Sequence, residues 1–187
     1  MKDIYRGKLV RLAAESPEEL GKAHARWERD SEYHRLADSD PAQLWSEKKY
    51  REWIEKQMER DPMQAFRFSI YTLVEDKLIG YVSIRPQWVN ADAWIGIAIG
   101  ERDHWGKGYG TDAMSLIVQY GFLELNLQRM SLSLNSYNPR AQRAYEKAGF
   151  RVEGVMRQDT FREGRRTDGV FMGILRREWM AQQEGAI

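Results

Sequence analysis

The first third of the chain combines apolar positions at helical spacing with two helix-start signals. Residues 8–13 form a short apolar segment that predicts a strand. Ser16-Pro17 then supplies an N-cap followed by proline at the first helical position, which predicts a helix. We expect that helix to end in a polar connection over residues 31–40. Asp40-Pro41 repeats the start signal and predicts a second helix to about Arg60.

From Phe66 the apolar period changes to two, which is the period of a half-buried strand. Three strands are predicted in this part of the chain, over residues 66–71, 78–85 and 94–99. Pro86 is expected to end the second strand. A short polar connection separates the first two strands, so we predict that they form a hairpin.

The next part of the chain returns to helical spacing and carries well-marked ends. Apolar residues between 108 and 125 recur every three to four positions and predict a helix. Residues 130–134 alternate between apolar and polar side chains and predict a strand. Asn138-Pro139 opens a further helix, and Gly149 stands where a left-handed residue would end it.

Two last strands, over about 151–162 and 166–176, face each other across the turn Glu163-Gly164. No linker or repeat divides the chain, so residues 1–187 are predicted to form a single domain. The strand, helix, strand unit from 94 to 134 requires a parallel pair. The fold class is therefore α+β, with a mixed, mostly antiparallel sheet of about seven strands, one parallel pair and about four helices.

Composition excludes several classes of function. The 29 Lys plus Arg residues balance the 28 Asp plus Glu residues, so no net field favours nucleic acid or an anionic membrane as partner. Without cysteine there is no thiolate metal site and no cysteine nucleophile, and three scattered histidines predict no metal site. The longest apolar stretch is far too short to span a bilayer, and no apolar signal segment is present. We expect a soluble, cytoplasmic protein.

The segment from Trp105 to Thr111, with the letters WGKGYGT, lies between a predicted strand and a predicted helix. Glycines let successive backbone N–H groups approach an anion, and the following helix adds unpaired amides and its positive dipole end. A phosphate or pyrophosphate is the ligand that this turn favours.

Three kinds of phosphate ligand fit such a turn to different degrees. A nucleoside triphosphate needs Gly-Lys followed by Ser or Thr, whereas Lys107 is followed by Gly108. A dinucleotide fits the spacing from Gly108 to Ala113, but Asn135 and Ser136 stand where an acid should hold the ribose. The third ligand is coenzyme A.

The run from Ile97 through Gly110, together with Asn138-Pro139-Arg140-Ala141 and the run from Tyr145 to Phe150, resembles the GNAT superfamily of N-acetyltransferases. It is most similar to the branch that includes the ribosomal-protein N-terminal acetyltransferases and the spermidine acetyltransferases. The resemblance covers about residues 66–177. Over the first 65 or so residues, the predicted order of helices and strands is also that of the family. Two separated motifs on the predicted elements are much more specific than the glycine turn alone.

The resemblance implies where acetyl-CoA binds. The cofactor would lie where strands 94–99 and 130–134 splay apart. Asn138 would contact the pantetheine arm, and Arg143 and Lys147, one helical turn apart, would reach the nucleotide phosphates. Trp105 stands where the family usually has glutamine or arginine. Backbone groups would hold the pantetheine at Ile97, Ala98 and Ile99, and the pyrophosphate at Trp105, Gly106, Lys107, Gly108, Tyr109 and Gly110, with Thr111.

The resemblance also implies a mechanism of direct attack by an amine in a ternary complex, which suits a chain without cysteine. Tyr145 matches the family tyrosine that protonates the departing thiolate. The general base is open, because Trp94 occupies the position at which several relatives carry glutamate. Asp92, Glu101, Asp103 and His104 lie nearby in the sequence, and a water chain or an amine that arrives neutral would also serve.

The sequence therefore predicts an acetyl-CoA-dependent N-acetyltransferase without a metal that acts on a primary amine. The amine would be a protein N-terminus, a polyamine or another small amine. The first two helices and the last hairpin would close over the acceptor, and residues 15–40 carry eight acids that would favour a cation. The alternative is a non-catalytic acyl-CoA-binding regulatory module. The acceptor and the oligomeric state, with a homodimer as one option, stay open.

Overall fold

The computed structural model describes residues 3–184, which hold six α-helices and seven strands. The strands are β1 (Val10–Ala13), β2 (Phe66–Thr72), β3 (Leu78–Gln87), β4 (Asp92–Ile99), β5 (Arg129–Asn135), β6 (Arg151–Arg162) and β7 (Arg165–Leu175). The helices are α1 (Pro17–Trp27), α2 (Ser31–Ala37), α3 (Glu47–Met58), α4 (Tyr109–Leu123), α5 (Pro139–Lys147) and α6 (Arg176–Glu184).

All seven strands join one sheet in the order β1-β2-β3-β4-β5-β7-β6. Within the described residues, β4 and β5 are the only parallel neighbours, and they pair only from Asp92 opposite Arg129 to Trp94 opposite Ser131. Beyond Trp94 the two strands separate. The predicted α+β class, the mixed sheet and its splayed parallel pair are therefore confirmed.

Side chains alternate along β4 and divide the core into two clusters. Ala93 and Ile95 belong to the larger cluster, which includes the buried apolar face of α4. Ala98 belongs to the smaller one, with residues of α1, α2 and α3 such as Leu20 and Ile54. Successive strand residues point to opposite faces, so the two clusters cover the two sides of β4. This places the free end of the strand between two layers of helices.

The prediction of about four helices was wrong in two regions, of which the first is residues 31–46. Residues 31–37 form α2, because the Asp30 carboxylate accepts hydrogen bonds from the amides of Glu32 and Tyr33 and so acts as an N-cap. Asp40-Pro41 does not start a helix. The amide of Asp40 instead donates to Asp38, and the second predicted helix begins six residues later, behind the N-cap Ser46.

The second region is the end of the last strand, where α6 follows β7 without a connection. Glu178 in its first turn accepts a hydrogen bond from the amide of Leu175, which supports this helix start. Pro86 also does not end β3, which continues to Gln87. β2 pairs with β3 only as far as Ile84, so the imide nitrogen of Pro86 can face the unpaired side at no cost to the ladder.

The predicted hairpin at the end of the sheet is confirmed. Arg162 pairs with Arg165, and the two residues between them, Glu163 and Gly164, have φ angles of 53° and 71°. Positive φ at both central positions is typical of the type I′ turn, which matches the twist of the strands that it joins. In residues 3–184, no helix is long and apolar enough to cross a membrane.

Candidate active site

A cleft of about 290 Å³ opens where β4 leaves β5. Four elements form it: the end of β4, the glycine turn before α4, helix α5 and helix α2. Eleven of the thirteen residues predicted for the site lie on its wall, although they come from three separate parts of the sequence. They are Ile97, Ala98, Ile99, Trp105, Gly106, Gly108, Gly110, Thr111, Asn138, Arg143 and Tyr145.

The two other predicted residues, Lys107 and Tyr109, lie outside the lining. Lys107 is exposed, and the Tyr109 ring packs edge-on against the His104 ring, with centroids 4.9 Å apart. Sequence reasoning missed the contribution of α2, because residues 31–40 were interpreted as a connection. The N-cap Asp30 was the available signal. His104, a candidate general base, and Lys147, beside Arg143, also line the cleft. The lining residues for which the sequence predicts no role are Tyr33, Leu36, Ala37, Arg140, Ala141 and Ala144.

The glycine turn has the backbone geometry that an anion site requires. Gly106 and Gly108 have φ angles of 72° and 93°, a region that residues with a Cβ rarely adopt. α4 begins directly behind Gly108, and no side chain in the described residues caps it. Side chains do cap the starts of α1, α2, α3 and α5. The first amides of α4 therefore have no side-chain acceptor, in contrast to the four capped helices.

Asp112 fixes the start of α4 to the first strand. Its carboxylate accepts hydrogen bonds from the backbone amides of Lys8, Leu9 and Val10 at 3.1, 2.7 and 3.0 Å. A Cβ on Gly7 would lie 2.4 Å from one of its oxygens, so only glycine allows this close approach. The turn is consequently held at a fixed position relative to the sheet.

Trp105 connects the glycine turn to the end of β4. Its indole Nε1 donates a 2.6 Å hydrogen bond to the carbonyl of Ile99, and the Arg140 guanidinium lies 3.8 Å from the centroid of its ring. The carbonyl of Ile99 is thereby occupied. Trp105 thus has a clear structural role at the position where the family usually carries glutamine or arginine.

Asn138 is buried and uses both ends of its side-chain amide. Its Oδ1 caps α5 by accepting from the amide of Ala141, and its Nδ2 donates to the carbonyl of Leu36 at 3.2 Å. The second N–H of this Nδ2 stays available for a pantetheine contact while the first holds α2. Asn138 thus couples the cofactor cleft to the helix that covers it.

Tyr145 lies on the wall of the cleft on α5, and burial raises the pKa of its phenol to about 12. Its hydroxyl forms no hydrogen bond with any group of the described residues. The phenol is therefore protonated at neutral pH and can donate to a group bound in the cleft. This is the property that a donor to a leaving thiolate requires.

The sequence neighbours considered as a general base have different environments. Burial would raise the pKa of Glu101, but hydrogen bonds from Trp27, Lys77 and Arg26 outweigh it and lower the pKa to about 2. Such a carboxylate is a poor proton acceptor. Trp94 packs edge-on against Phe171.

Of the other three candidates, Asp103 is exposed and Asp92 lies at the opposite end of β4 from the cleft. His104 lines the cleft, and its Nδ1 is buried without a hydrogen-bond partner in the described residues. It is therefore the only one of the four sequence candidates that reaches the cleft. No group of His, Asp and Glu residues in the described part of the chain could hold a metal ion.

α2 and the segment that follows it contact the last hairpin and the residue before Asn138. The Tyr137 hydroxyl donates to the carbonyl of Arg35 at 2.7 Å, and Arg35 forms a salt bridge with Glu163 in the last hairpin. Arg162 of the same hairpin donates to the carbonyl of Asp40 at 3.0 Å. The first helices and the last hairpin therefore contact each other, and their closure over an acceptor stays a prediction.

Three of the eight acids of residues 15–40 pair with a lysine or an arginine. Glu18 pairs with Lys22, and both Asp30 and Glu32 pair with Arg102. Paired charges produce a much weaker field than free ones. The expectation of an acidic lip therefore has less support than the sequence alone suggested.

Comparison with protein families gives a decisive match. The model of the acetyltransferase (GNAT) domain matches residues 10–151, which is well over half of the chain. The chain belongs to the GNAT family of N-acetyltransferases. Its similarity to a probable N-acetyltransferase of Bacillus subtilis, YjcK, is 36% identity over 67% of each chain.

Two further relatives cover less of the chain. An uncharacterized N-acetyltransferase of Bacillus licheniformis, p20, is 33% identical over 62% of this GNAT chain and 65% of its own length. The spermidine N(1)-acetyltransferase of Escherichia coli is 33% identical over 44% of each chain. The chain thus spans about two thirds of the Bacillus relatives and less than half of the Escherichia coli enzyme.

Solved structures agree with the fold. The spermidine N-acetyltransferase of Vibrio cholerae, in complex with CoA and spermine, superposes with a TM-score of 0.80. The match covers 91% of this GNAT chain and 98% of the Vibrio protein at 23% identity. A GNAT acetyltransferase of Bacillus anthracis gives a TM-score of 0.77 at 20% identity, over 92% of this chain and 98% of that one. At these identities the likeness concerns the fold.

Proposed function

We propose that the protein transfers the acetyl group of acetyl-CoA directly to a primary amine in a ternary complex. The observation that carries this proposal is the cleft at the splayed strands. It brings the free end of β4, an uncapped glycine turn and a protonated tyrosine to one place. Each of these serves a different part of the same cofactor.

The cofactor would lie along the cleft from the turn to the sheet. The pyrophosphate would be held by the backbone amides between Trp105 and Gly110, with the hydroxyl of Thr111. The pantetheine arm would add to the free side of β4 at Ile97, Ala98 and Ile99, as an extra strand does. The bond from Trp105 to the Ile99 carbonyl leaves that residue only its N–H for this purpose.

The reaction that fits these groups is a direct displacement. The amine lone pair attacks the acetyl carbon, the carbon–sulfur bond breaks, and the electron pair leaves with the sulfur as a thiolate. Tyr145 would donate a hydrogen bond to that thiolate. Its phenol has a pKa of about 12, well above the roughly 8.5 of an ordinary thiol, so it stabilises the thiolate mainly by donation rather than by complete proton transfer.

The proton lost by the amine needs no carboxylate. Glu101 is held ionised by three donors, and Trp94 offers no acceptor. An amine that arrives neutral, or one that passes its proton to water or to His104 on the cleft wall, satisfies the structure. We therefore expect the rate to rise with pH as more of the amine becomes neutral.

The acceptor is proposed to be a small primary amine. The observation that supports this is that relatives are named as spermidine acetyltransferases. Three of the eight acids of residues 15–40 are paired with a lysine or an arginine, which weakens the field that would favour a polycation. Amino sugars and other singly charged amines therefore belong among the candidates.

Calorimetry and a thiol-release assay together test the proposal. We expect acetyl-CoA to bind at micromolar to millimolar concentration, NAD and NADP not to bind, and CoA release to depend on one class of amine in a panel of polyamines, amino sugars and N-terminal peptides. Binding of a dinucleotide instead of acetyl-CoA would contradict the proposal. Binding of acetyl-CoA without turnover would favour the non-catalytic regulatory module.

A further inference from the structure

Arg140 places a positive charge inside the cofactor cleft without a carboxylate beside it. Its guanidinium lies 3.8 Å from the centroid of the Trp105 ring, and both residues line the cleft. Among the described residues the Arg140 guanidinium forms no ion pair and no hydrogen bond. Burial lowers its pKa, and the Glu32 carboxylate acts on it only from a distance. Arginine nevertheless stays charged. The cleft therefore holds a half-buried cation that no acid of the chain neutralises.

The place of this cation in α5 is not one that stability favours. A positive charge near a helix N-terminus opposes the helix dipole. The first turns of α1 to α4 each carry an acid, whereas α5 carries none and has Arg140 directly after Pro139. The other arginine near the Trp105 ring, Arg102, is neutralised by Asp30 and Glu32.

The position of Trp105 indicates a role for the unpaired Arg140 guanidinium. The family usually places glutamine or arginine at this position, but the one donor of Trp105 is already bonded to the carbonyl of Ile99. Its ring supports a guanidinium beside the glycine turn instead. We infer that Arg140, held on the face of Trp105, binds the pyrophosphate of acyl-CoA in place of that missing side chain, an inference that rests on the proposed function.

The chemistry suits this exchange. A guanidinium stacked on an aromatic ring keeps its in-plane N–H groups available, and these bind phosphate oxygens in pairs. The glycine turn supplies backbone dipoles but its lysine, Lys107, lies outside the lining. Arg140 thus adds a full positive charge to the backbone amides of the turn, and the other cations of the lining, Arg143 and Lys147, lie further along α5. Arg140 would make the affinity for acyl-CoA depend on the pyrophosphate of that cofactor.

Calorimetry with CoA, dephospho-CoA and pantetheine tests the inference on Arg140→Gln. We expect CoA and dephospho-CoA, which share the pyrophosphate, to bind about 10- to 100-fold more weakly by the same factor. Pantetheine, which has no phosphate, should bind as it does to the unmodified protein. Arg140→Lys keeps the charge without the fork and should recover part of the loss. The control Arg177→Gln removes an exposed arginine of α6 and should bind all three normally.

Several outcomes would overturn the inference. They are unchanged CoA binding by Arg140→Gln, an equal loss for pantetheine, and a loss for CoA that spares dephospho-CoA, which would assign Arg140 to the 3′-phosphate. Melting temperatures of the ligand-free variants check that each is folded. If Arg140→Gln does not fold, the same binding measurements on Arg140→Lys test the inference. If the unmodified protein binds no CoA, the proposed function itself fails, which is a separate result.

Discussion

At the scale of single residues, burial and hydrogen bonding decide whether an ionisable side chain near the cleft is neutral or charged. Tyr145 and Glu101 both lie close to the end of β4 in space or in sequence, yet one is kept neutral and the other ionised. Desolvation alone acts on the tyrosine. In Glu101 the same effect is outweighed by three donors. The neutral tyrosine can therefore donate a hydrogen bond to a bound group, whereas the ionised carboxylate stabilises the fold through its three donors.

Tyr145→Phe should lower kcat by about 100-fold and leave the affinity for acetyl-CoA within about twofold, because it removes only the donor to the leaving thiolate. With a pKa of about 12, Tyr145 should add no ionisation to the pH profile of kcat between about pH 6 and pH 9. Steady-state kinetics across that range checks both points. Tyr5→Phe, which changes an exposed tyrosine, is the control, and an unchanged kcat for Tyr145→Phe would remove this residue from the mechanism.

Glu101 should make the stability of the fold depend on acid. Its pKa is 4.5 in the ordinary state and about 2 when folded, so its contribution is complete above about pH 4.5 and is lost as the pH falls toward 2. Glu101→Gln should be less stable than the unmodified protein at neutral pH, and the two melting curves should converge on acidification. Glu52→Gln, at an exposed carboxylate, should show no such convergence. A constant gap from pH 7 to pH 3 would contradict this account.

At the scale of elements, the glycine turn and α4 form one unit with β1. The Asp112 carboxylate binds three amides of the first strand, and Gly106 and Gly108 allow the reversal that precedes the helix. The third glycine differs. A Cβ on Gly110 would meet only the Ile99 side chain, at an ordinary 3.6 Å. The three glycines of the motif are therefore not equivalent.

Alanine substitutions should separate these glycines. Gly108→Ala has to adopt a φ angle of 93° and meets Leu9 at 3.3 Å, so it should lose about 1–2 kcal/mol of unfolding free energy and bind acetyl-CoA more weakly. Gly110→Ala stands in a helix with an unstrained backbone and should gain up to about 1 kcal/mol of unfolding free energy. Chemical denaturation and calorimetry measure both effects. Equal losses for the two variants would show that the turn geometry is described wrongly.

Elements with local signals could be predicted from the sequence. Caps and periodicity located α1, α4, α5 and the last hairpin, because those signals lie within a few residues. α2 was missed, since its N-cap Asp30 is followed by seven mostly polar residues of which only Tyr33 and His34 are buried. Tyr33 packs in one cluster with Ile54 and Ala98, and such long-range packing is not encoded in the neighbouring sequence. α3 begins behind the local N-cap Ser46, and the competing start signal at Asp40-Pro41 is not used.

At the scale of the whole molecule, the cleft exists because two neighbouring strands of the sheet, β4 and β5, separate. A parallel pair that bonds over three residues and then separates opens a cleft between helices from both halves of the chain. The motifs predicted the turn, the strand and Tyr145 as members of one site. They did not predict Arg140 or the cover formed by α2, because both depend on packing across the cleft. The homodimer stays a prediction.

The most direct test of the central claim is mass spectrometry of an amine panel after incubation with the protein and acetyl-CoA that carries a deuterated acetyl group. We predict that the label appears on the nitrogen of a small primary amine in amounts equal to the CoA released, and that Tyr145→Phe slows both equally. Label on no amine, although acetyl-CoA binds, would contradict the proposed transfer and leave a cofactor-binding module.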